Sequence, residues 1–307
     1  MVSENQMKYQ FAFATKCDMC GDDVRNHKIL GQRLNQSQGF KPKNKIGITT
    51  TIVKCSNCKL IYSNPQPIPN SIEDHYGVPA DSYWKPHYFH IDEETFSKEI
   101  KEIKQLMPIQ KGMKALDIGA GIGKTMTVLQ MEGFDVYGLE PSEHFRKKAI
   151  EKMKINPERL KLSMVEDAEY ENNFFDYITF GAVLEHLYSP GGALEKAMKW
   201  LKPNGLVHLE VPSSRYLVAK IINFYYKLIG TSFVTNLSPM HNPYHLFEFD
   251  LKSFEEHAKK HNYEIAYRKY YVCSIPFFPG FLKPVLNWIM EKTNSGLQIT
   301  VYLRKKG

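Results

Sequence analysis

Cysteine is scarce in this 307-residue chain, with only five residues, too few and too spread out to build a disulfide scaffold. Long hydrophobic runs are missing too. The most apolar segment, Leu217 to Gly230, is short and is interrupted by Lys220 and Lys227, which excludes a bilayer-spanning helix there. The start, Met1-Val2-Ser3-Glu4-Asn5, is polar and carries no charged-then-apolar leader. A cytoplasmic protein without a transmembrane span is the expectation. Acidic residues are sparse at one end: the first sixty residues hold four Asp/Glu against ten Lys/Arg, so +6 of the formal net charge of +7 resides there. That local basic bias suits RNA, an anionic membrane surface or a phosphorylated substrate, and equally a solvated face with no partner. What is present in quantity is apolar residue, 43% of the chain, over a length that buries a large core in one large domain plus a smaller one, or in two domains.

Four of the five cysteines fall in two pairs, Cys17-x-x-Cys20 and Cys55-x-x-Cys58, with 34 residues between them and Gly21 placed for a tight knuckle turn. Four thiolates at this spacing suit a tetrahedral zinc ion, with iron or redox pairs as the alternatives. Four sulfur ligands leave no open coordination position, so such a site is structural rather than catalytic. The fifth, Cys273, reads as a buried small apolar residue in a strand. Between the pairs, Lys41-Pro42-Lys43-Asn44-Lys45 reads as a basic loop and Gly47 to Val53 as a β-branched strand, which together make a zinc ribbon. The prolines of Asn64-Pro65-Gln66-Pro67-Ile68-Pro69 exclude helix and predict a semi-rigid linker. A ribbon module with its linker over 1–70 and a second domain over 71–307 follow. In that second domain, Tyr76, Tyr83, Trp84, Tyr88 and Phe89 form an aromatic cluster ahead of a helical stretch from Asp92 to Met107.

The rest of the chain is organised around Lys114 to Thr125, where an apolar run stops in alternating glycines at 119, 121 and 123 and then turns helical. Strand, tight turn and helix start together make a place where a ligand approaches the backbone closely. Two common nucleotide loops fail here on spacing. The dinucleotide fingerprint needs a small residue where Lys124 stands, and the phosphate-cradling loop that Gly123-Lys124-Thr125 would complete needs a glycine at Ile118. What remains, D-x-G-x-G-x-G from Asp117 to Gly123, resembles the first loop of class I S-adenosylmethionine-dependent methyltransferases. Glu140 ends the next strand 21 residues beyond Gly119, where a doubly wound fold puts a carboxylate on the ribose hydroxyls. Ser142 is placed to cap the helix that follows.

Further along, Phe174 to Leu187 (FFDYITFGAVLEHL) looks like the fourth-strand motif of ubiquinone-biosynthesis-type methyltransferases, and Lys202-Pro203-Asn204-Gly205 resembles their next turn. The resemblance covers 113 to about 212. It implies a Rossmann-like α/β fold with a mostly parallel seven-stranded sheet and an antiparallel C-terminal strand. It further implies S-adenosylmethionine held by Asp117, Gly119, Ala120, Gly121, Gly123, Glu140, Pro141, Asp167, Ala168, Ala182 and Val183, with Asp167 beside the adenine and Glu185 and His186 facing the acceptor.

The stretch 213–238 is nearly all apolar and has three readings: a buried lid helix, a dimer surface, or a helix lying on a membrane. With 239–249 it forms an expected lid insertion. Pro239-Met240-His241-Asn242-Pro243-Tyr244-His245 then brings two histidines, so His186, His241 and His245 are candidate general bases. A four-cysteine ribbon ahead of this domain resembles sugar methyltransferases of deoxysugar and surface-polysaccharide pathways, which implies a sugar or other small metabolite, free or carrier-linked, as acceptor. The longer sugar C-methyltransferases carry a further C-terminal domain beyond anything in this sequence, so their catalytic residues are not transferred, and O- and C-methylation stand level. Two other readings remain: an RNA methyltransferase using the ribbon for RNA, against which stands the absence of an Asn-Pro-Pro-Tyr-type motif, and a non-catalytic binding protein on this scaffold.

Overall fold

A computed structural model describes residues 9–36, 45–70, 85–240, 244–273 and 278–307. Lys41 and Lys43 of the expected basic loop, Tyr76, Tyr83 and Trp84 of the aromatic cluster, and His241 lie outside the described residues. The N-terminal part contributes β1 (Tyr9–Ala12), β2 (Lys28–Gln36), β3 (Lys45–Lys54), β4 (Ile61–Ser63) and β5 (Gln66–Pro69). Helix α1 (Ser97–Leu106) leads to β6 (Lys114–Ile118), α2 (Lys124–Met131), β7 (Asp135–Glu140), α3 (Glu143–Met153), β8 (Leu160–Leu162) and β9 (Phe175–Gly181). Then come α4 (Pro190–Trp200), β10 (Leu201–Pro212), α5 (Leu217–Leu228), β11 (Phe247–Glu248), α6 (Leu251–Ala258), β12 (Tyr263–Tyr271), α7 (Lys283–Thr293) and β13 (Gln298–Lys305).

The central sheet has the order β12-β13-β10-β9-β6-β7-β8. Neighbours from β10 to β8 pair in parallel, and β13 runs antiparallel to both β10 and β12, as expected from the sequence. Because helices cover both faces, its strands are apolar on both sides rather than alternating. Leu116, Ile178, Val207 and Leu303 enter one core, while Ala115, Tyr177, Leu206 and Tyr302 enter the other. In this order the chain reverses between β6 and β9, which are adjacent, and the crevice at their C-terminal ends is where such sheets bind ligands.

The ribbon strands β2, β3 and β4 form a second sheet whose fourth member is β11, with Phe247 and Glu248 paired to Tyr62 and Ile61. One hydrophobic core therefore runs from Cys17, Cys55, Leu60 and Tyr62 to Leu187, Leu194, Phe247 and Phe254. Polar contacts reinforce the junction. The Asp18 carboxylate accepts from Ser189 Oγ (3.0 Å) and from the Gly191 backbone N–H, satisfying an orphan donor at the start of α4. Ser253 Oγ donates to the Cys58 carbonyl (3.0 Å), and Lys260 Nζ to that of Cys20.

Two segments differ from the sequence expectation. The proline-rich stretch read as a linker is strand β5, paired antiparallel with β1. Its prolines are tolerated because this two-stranded ribbon is all edge, where a missing N–H can face outward. Cys273 lies just past β12, half-buried, with its Sγ 3.3 Å from Gln298 Oε1, rather than buried within a strand.

Candidate functional site

The turn after β6 folds back on its neighbour: the N–H groups of Gly119 and Ala120 both donate to the Leu139 carbonyl at the end of β7 (2.8 and 2.9 Å). That double contact forces a tight reversal, and Gly119 takes φ +72°. A Cβ at Gly119 would sit 2.5 Å from Val183 Cγ2, so only glycine lets the loop close on the turn that follows β9. Gly121, at φ +56°, borders open space, which is a cavity of about 770 Å³. Its lining includes Gly119, Ala120, Gly121, Glu140, Pro141, Ala182, Val183 and His186. Gly123 instead packs under the loop, where a Cβ would meet Ile155 Cγ1 at 2.6 Å.

Glu140 is the buried acid of this cavity, 5% exposed. One carboxylate oxygen accepts the Gly121 N–H (2.7 Å) and the other the Ser142 N–H (2.8 Å), leaving each with lone-pair capacity toward the cavity. Burial pushes its pKa up to about 6, with these two N–H groups pulling the other way. Asp117 lies beneath the loop rather than on the lining. It is buried, its Oδ2 has no hydrogen-bond partner among the described residues, and burial followed by the nearby Glu140 raises it to about 8. Ser142 caps α3 as expected, its side chain accepting from the Phe145 N–H.

After β8, the lining is made by Ser163, Met164, Val165 and Glu166. Asp167, chosen from the sequence, is exposed and off the lining, while Ala168 is buried in the core behind it. Glu166, also exposed but on the lining, has the acid chemistry expected of Asp167, and partial desolvation raises its pKa. Ala182 adopts φ +54°, a costly conformation for a residue with a Cβ, and turns the chain off β9 so that it and Val183 border the cavity. Ile68 and Pro69 of β5 also line the cavity, as do Tyr88 and Lys124, with Lys124 Nζ 5.1 Å from the Tyr88 ring centre. Nothing local in the sequence marks Ile68 and Pro69, because their position comes from pairing with β1.

Glu185, His186 and His245 come together although the two histidines are 59 residues apart. The Leu246 N–H donates to the Glu185 carbonyl (2.8 Å), clipping the two segments. Glu185 Oε1 lies 4.0 Å from His186 Nε2 and 3.9 Å from His245 Nε2, and its Oε2 has no hydrogen-bond partner among the described residues. His186 Nδ1 faces the Tyr244 carbonyl at 3.2 Å, which requires Nδ1 to carry the proton and leaves the Nε2 lone pair free to accept one. Burial lowers the pKa of His186; burial and then His186 lower His245 to about 4; burial raises Glu185 to about 8. At neutral pH both imidazoles are therefore uncharged, as a base must be.

A model of a methyltransferase domain matches residues 88–267, more than half of the chain. The protein belongs to this methyltransferase family. It is 34% identical over 117 residues to a demethylmenaquinone methyltransferase of Bacillus mycoides, covering 35% of this chain and 48% of that one. A ubiquinone biosynthesis O-methyltransferase of Dechloromonas aromatica is 23% identical over 181 residues, covering 54% of this chain and 71% of that one. The chain spans about half the length of the first of the curated relatives it matches. Among solved structures, a Haemonchus contortus phosphoethanolamine N-methyltransferase 2 bound to phosphomonomethylethanolamine and S-adenosylhomocysteine shares the fold. Its TM-score is 0.50 at 16% identity, over 80% of this chain and 63% of that one.

The cavity fits S-adenosylmethionine, the cofactor of this family, on its own geometry. The open space at Gly121 admits a ligand against the backbone, and Glu140 keeps acceptor capacity for ribose hydroxyls. A hydroxyl donates best to the ionised carboxylate, so binding is linked to the Glu140 proton. With its pKa raised to about 6, cofactor affinity is expected to be level above about pH 7 and to fall, toward tenfold per pH unit, below about pH 6. Calorimetric titration across that range checks this, and a flat profile rejects Glu140 as the ribose ligand.

The chain also carries a second cluster with ligand chemistry, away from the cavity. Cys17, Cys20, Cys55 and Cys58 are all buried, and their four sulfurs lie within 4.8 Å of one another. Cys17 Sγ is 3.4 Å from Cys58 Sγ, and Cys20 Sγ is 3.6 Å from Cys55 Sγ. Those separations are far longer than a disulfide and close to the ~3.8 Å edge of a tetrahedron with zinc–sulfur bonds of about 2.3 Å. Gly21 and Lys59, each just past a pair, take φ +72° and +68°, giving both knuckles the same turn.

Proposed function

We propose that this protein transfers a methyl group from S-adenosylmethionine to a small-molecule acceptor, a sugar or another small metabolite, free or carrier-linked, with His186 as the general base. The observation that carries the reading is that one cavity is lined by both the glycine turn with Glu140 and the uncharged His186. When bound, S-adenosylmethionine supplies an electrophilic methyl group on a sulfonium. Glu140 and the turn orient it, Val183 and Leu187 give the cavity an apolar wall that excludes water, and Nε2 of His186 accepts the proton of an acceptor hydroxyl or carbon acid. The Tyr244 carbonyl orients His186 by accepting its Nδ1 proton, and the ring of His245 packs beside it with ring centres 5.1 Å apart.

The relatives' names speak of demethylmenaquinone, ubiquinone biosynthesis and phosphoethanolamine, so a small molecule is favoured over RNA. In this reading the four cysteines hold a structural zinc ion, strand β5 serves as a wall of the site through Ile68 and Pro69 and the N-terminal part is not an RNA-binding module, and the protein works in the cytoplasm.

The test is binding of S-adenosylmethionine by calorimetry, followed by transfer of a labelled methyl group to a panel of sugar nucleotides, hydroxyquinones, ethanolamine phosphate and RNA. Binding with transfer to a small acceptor is the expected result, and His186→Ala should then lower kcat by about 10²- to 10⁴-fold. No cofactor binding would refute the proposal; transfer to RNA alone would refute its acceptor.

A further inference from the structure

Helix α5 is almost wholly apolar, yet only Val218 in it is buried. Its side chains at i, i+1 and i+4, Phe224, Tyr225 and Leu228, are 62%, 57% and 68% exposed. Around α7 the same happens: Phe281, Val285 and Trp288 are 77%, 54% and 60% exposed. The two helices meet through a small cluster containing Val218, Ile222, Leu286 and Met290, so these six large side chains belong to neighbouring elements of one region. Six exposed large apolar groups, five on two packed helices and Phe281 in the turn just ahead of α7, exceed what a soluble surface ordinarily carries singly, and mark an interaction face.

Charge decides what the face fits. From Arg215 to Phe233 there are three cations, Arg215, Lys220 and Lys227, and no acid. Around α7, Lys283 and Lys292 stand beside a single acid, Glu291. A second copy of this chain docking by a two-fold axis would set the cations of α5 against a surface that is itself cationic, which is repulsive. An anionic lipid surface complements both properties at once: lysines reach the phosphates while Phe, Leu and the amphipathic Tyr and Trp rings enter the interface. No described helix is long and apolar enough to cross a membrane, which leaves a surface mode of attachment for these helices.

We propose that the exposed faces of α5 and α7 dock this protein on the surface of an anionic lipid bilayer. Helix α5 follows β10 directly and so leaves the sheet at the C-terminal end of its parallel strands, the end that carries the cavity. Docking there brings the cavity to the lipid surface. The inference stands independently of the methyl-transfer reading, since it concerns attachment alone.

Flotation of the full chain with vesicles tests it, using phosphatidylcholine alone and phosphatidylcholine with about one-third phosphatidylglycerol. Binding to the anionic vesicles at least ~10-fold above the neutral ones, and weakening with salt, is expected. Removing two charges with Lys220→Gln and Lys227→Gln should lower it by about fivefold per charge, and Phe224→Ser with Leu228→Ser and Trp288→Ser by more than ~10-fold. Circular dichroism and thermal unfolding of the same variants report folding, and calorimetry with S-adenosylmethionine reports the cofactor site separately. Absence of binding to either vesicle, or binding that neither variant weakens, overturns the proposal. So does a concentration-dependent dimer that the triple variant dissolves, which would make the face a contact between copies.

Discussion

Glu140→Ala is expected to weaken S-adenosylmethionine binding by about 10²-fold or more. The carboxylate has two jobs in the structure. Its oxygens hold the N–H groups of Gly121 and Ser142 at 2.7 and 2.8 Å, tying the glycine turn to the start of α3, and they face the cavity as acceptors. Hydrogen bonds to a charged group contribute about 1.5–3 kcal/mol each, so losing two ribose contacts alone predicts a loss of 10²- to 10⁴-fold. The orphaned Gly121 and Ser142 donors add to that. Glu140→Gln preserves shape but touches both jobs, because its amide NH₂ must meet one of two backbone N–H donors, so the turn loses one tie as well as its charge. An intermediate loss is expected for it, together with disappearance of the pH dependence near 6. Calorimetry measures both, and affinity for either variant within about threefold of the parent would remove Glu140 from the site.

Removal of metal from the four cysteines, or Cys55→Ser, is expected to have the largest effect on stability. Strands β2 to β4 are short of core of their own, and a structural zinc site supplies apparent folding free energy on the order of 10 kcal/mol. The damage should spread, because the cysteines belong to the same hydrophobic core as Leu187, Leu194, Phe247 and Phe254, and because β5, just beyond β4, lines the cavity through Ile68 and Pro69. A fall in the unfolding midpoint on the order of 10 °C, accompanied by weaker cofactor binding, is the expected result. Metal analysis should find close to one zinc ion per chain. Less than about a tenth of that, with Cys55→Ser as stable as the parent, would sink the assignment.

The parts of the site legible in the sequence are those whose chemistry is local along the chain. Gly119, Gly121 and Glu140 are legible because a strand, a turn and the next strand form a unit whose spacing fixes the geometry, and the cysteine pairs are legible because each knuckle closes within four residues. Asp167 shows the limit at short range: of two adjacent exposed acids in the turn after β8, Glu166 borders the cavity and Asp167 does not, and no pattern in that turn marks which one will. Ile68 and Pro69 show the failure at long range. Prolines argue correctly against helix there, but the strand exists only because Tyr9 to Ala12 comes back to pair with it.

The apolar stretch at 213–238 is a different case. Its hydrophobicity is plain in the sequence, and a buried lid, a dimer face and a membrane face all share it. Packing speaks against the buried lid for α5, since burial of Val218 alone leaves Phe224, Tyr225 and Leu228 on the surface, but a dimer face and a membrane face share that exposure.

By itself, then, the sequence determined the doubly wound fold, the turn at 119–123 with its acid at Glu140, and the four metal-type cysteines, because each rests on spacing within a few dozen residues. Only the tertiary structure decided that the ribbon shares a core with the methyltransferase sheet through β11 and builds part of its cavity through β5. It also decided that His245 meets Glu185 beside His186. Those contacts join segments tens to hundreds of residues apart, and their energy comes from strand pairing and apolar burial, which any suitably patterned partner could have satisfied.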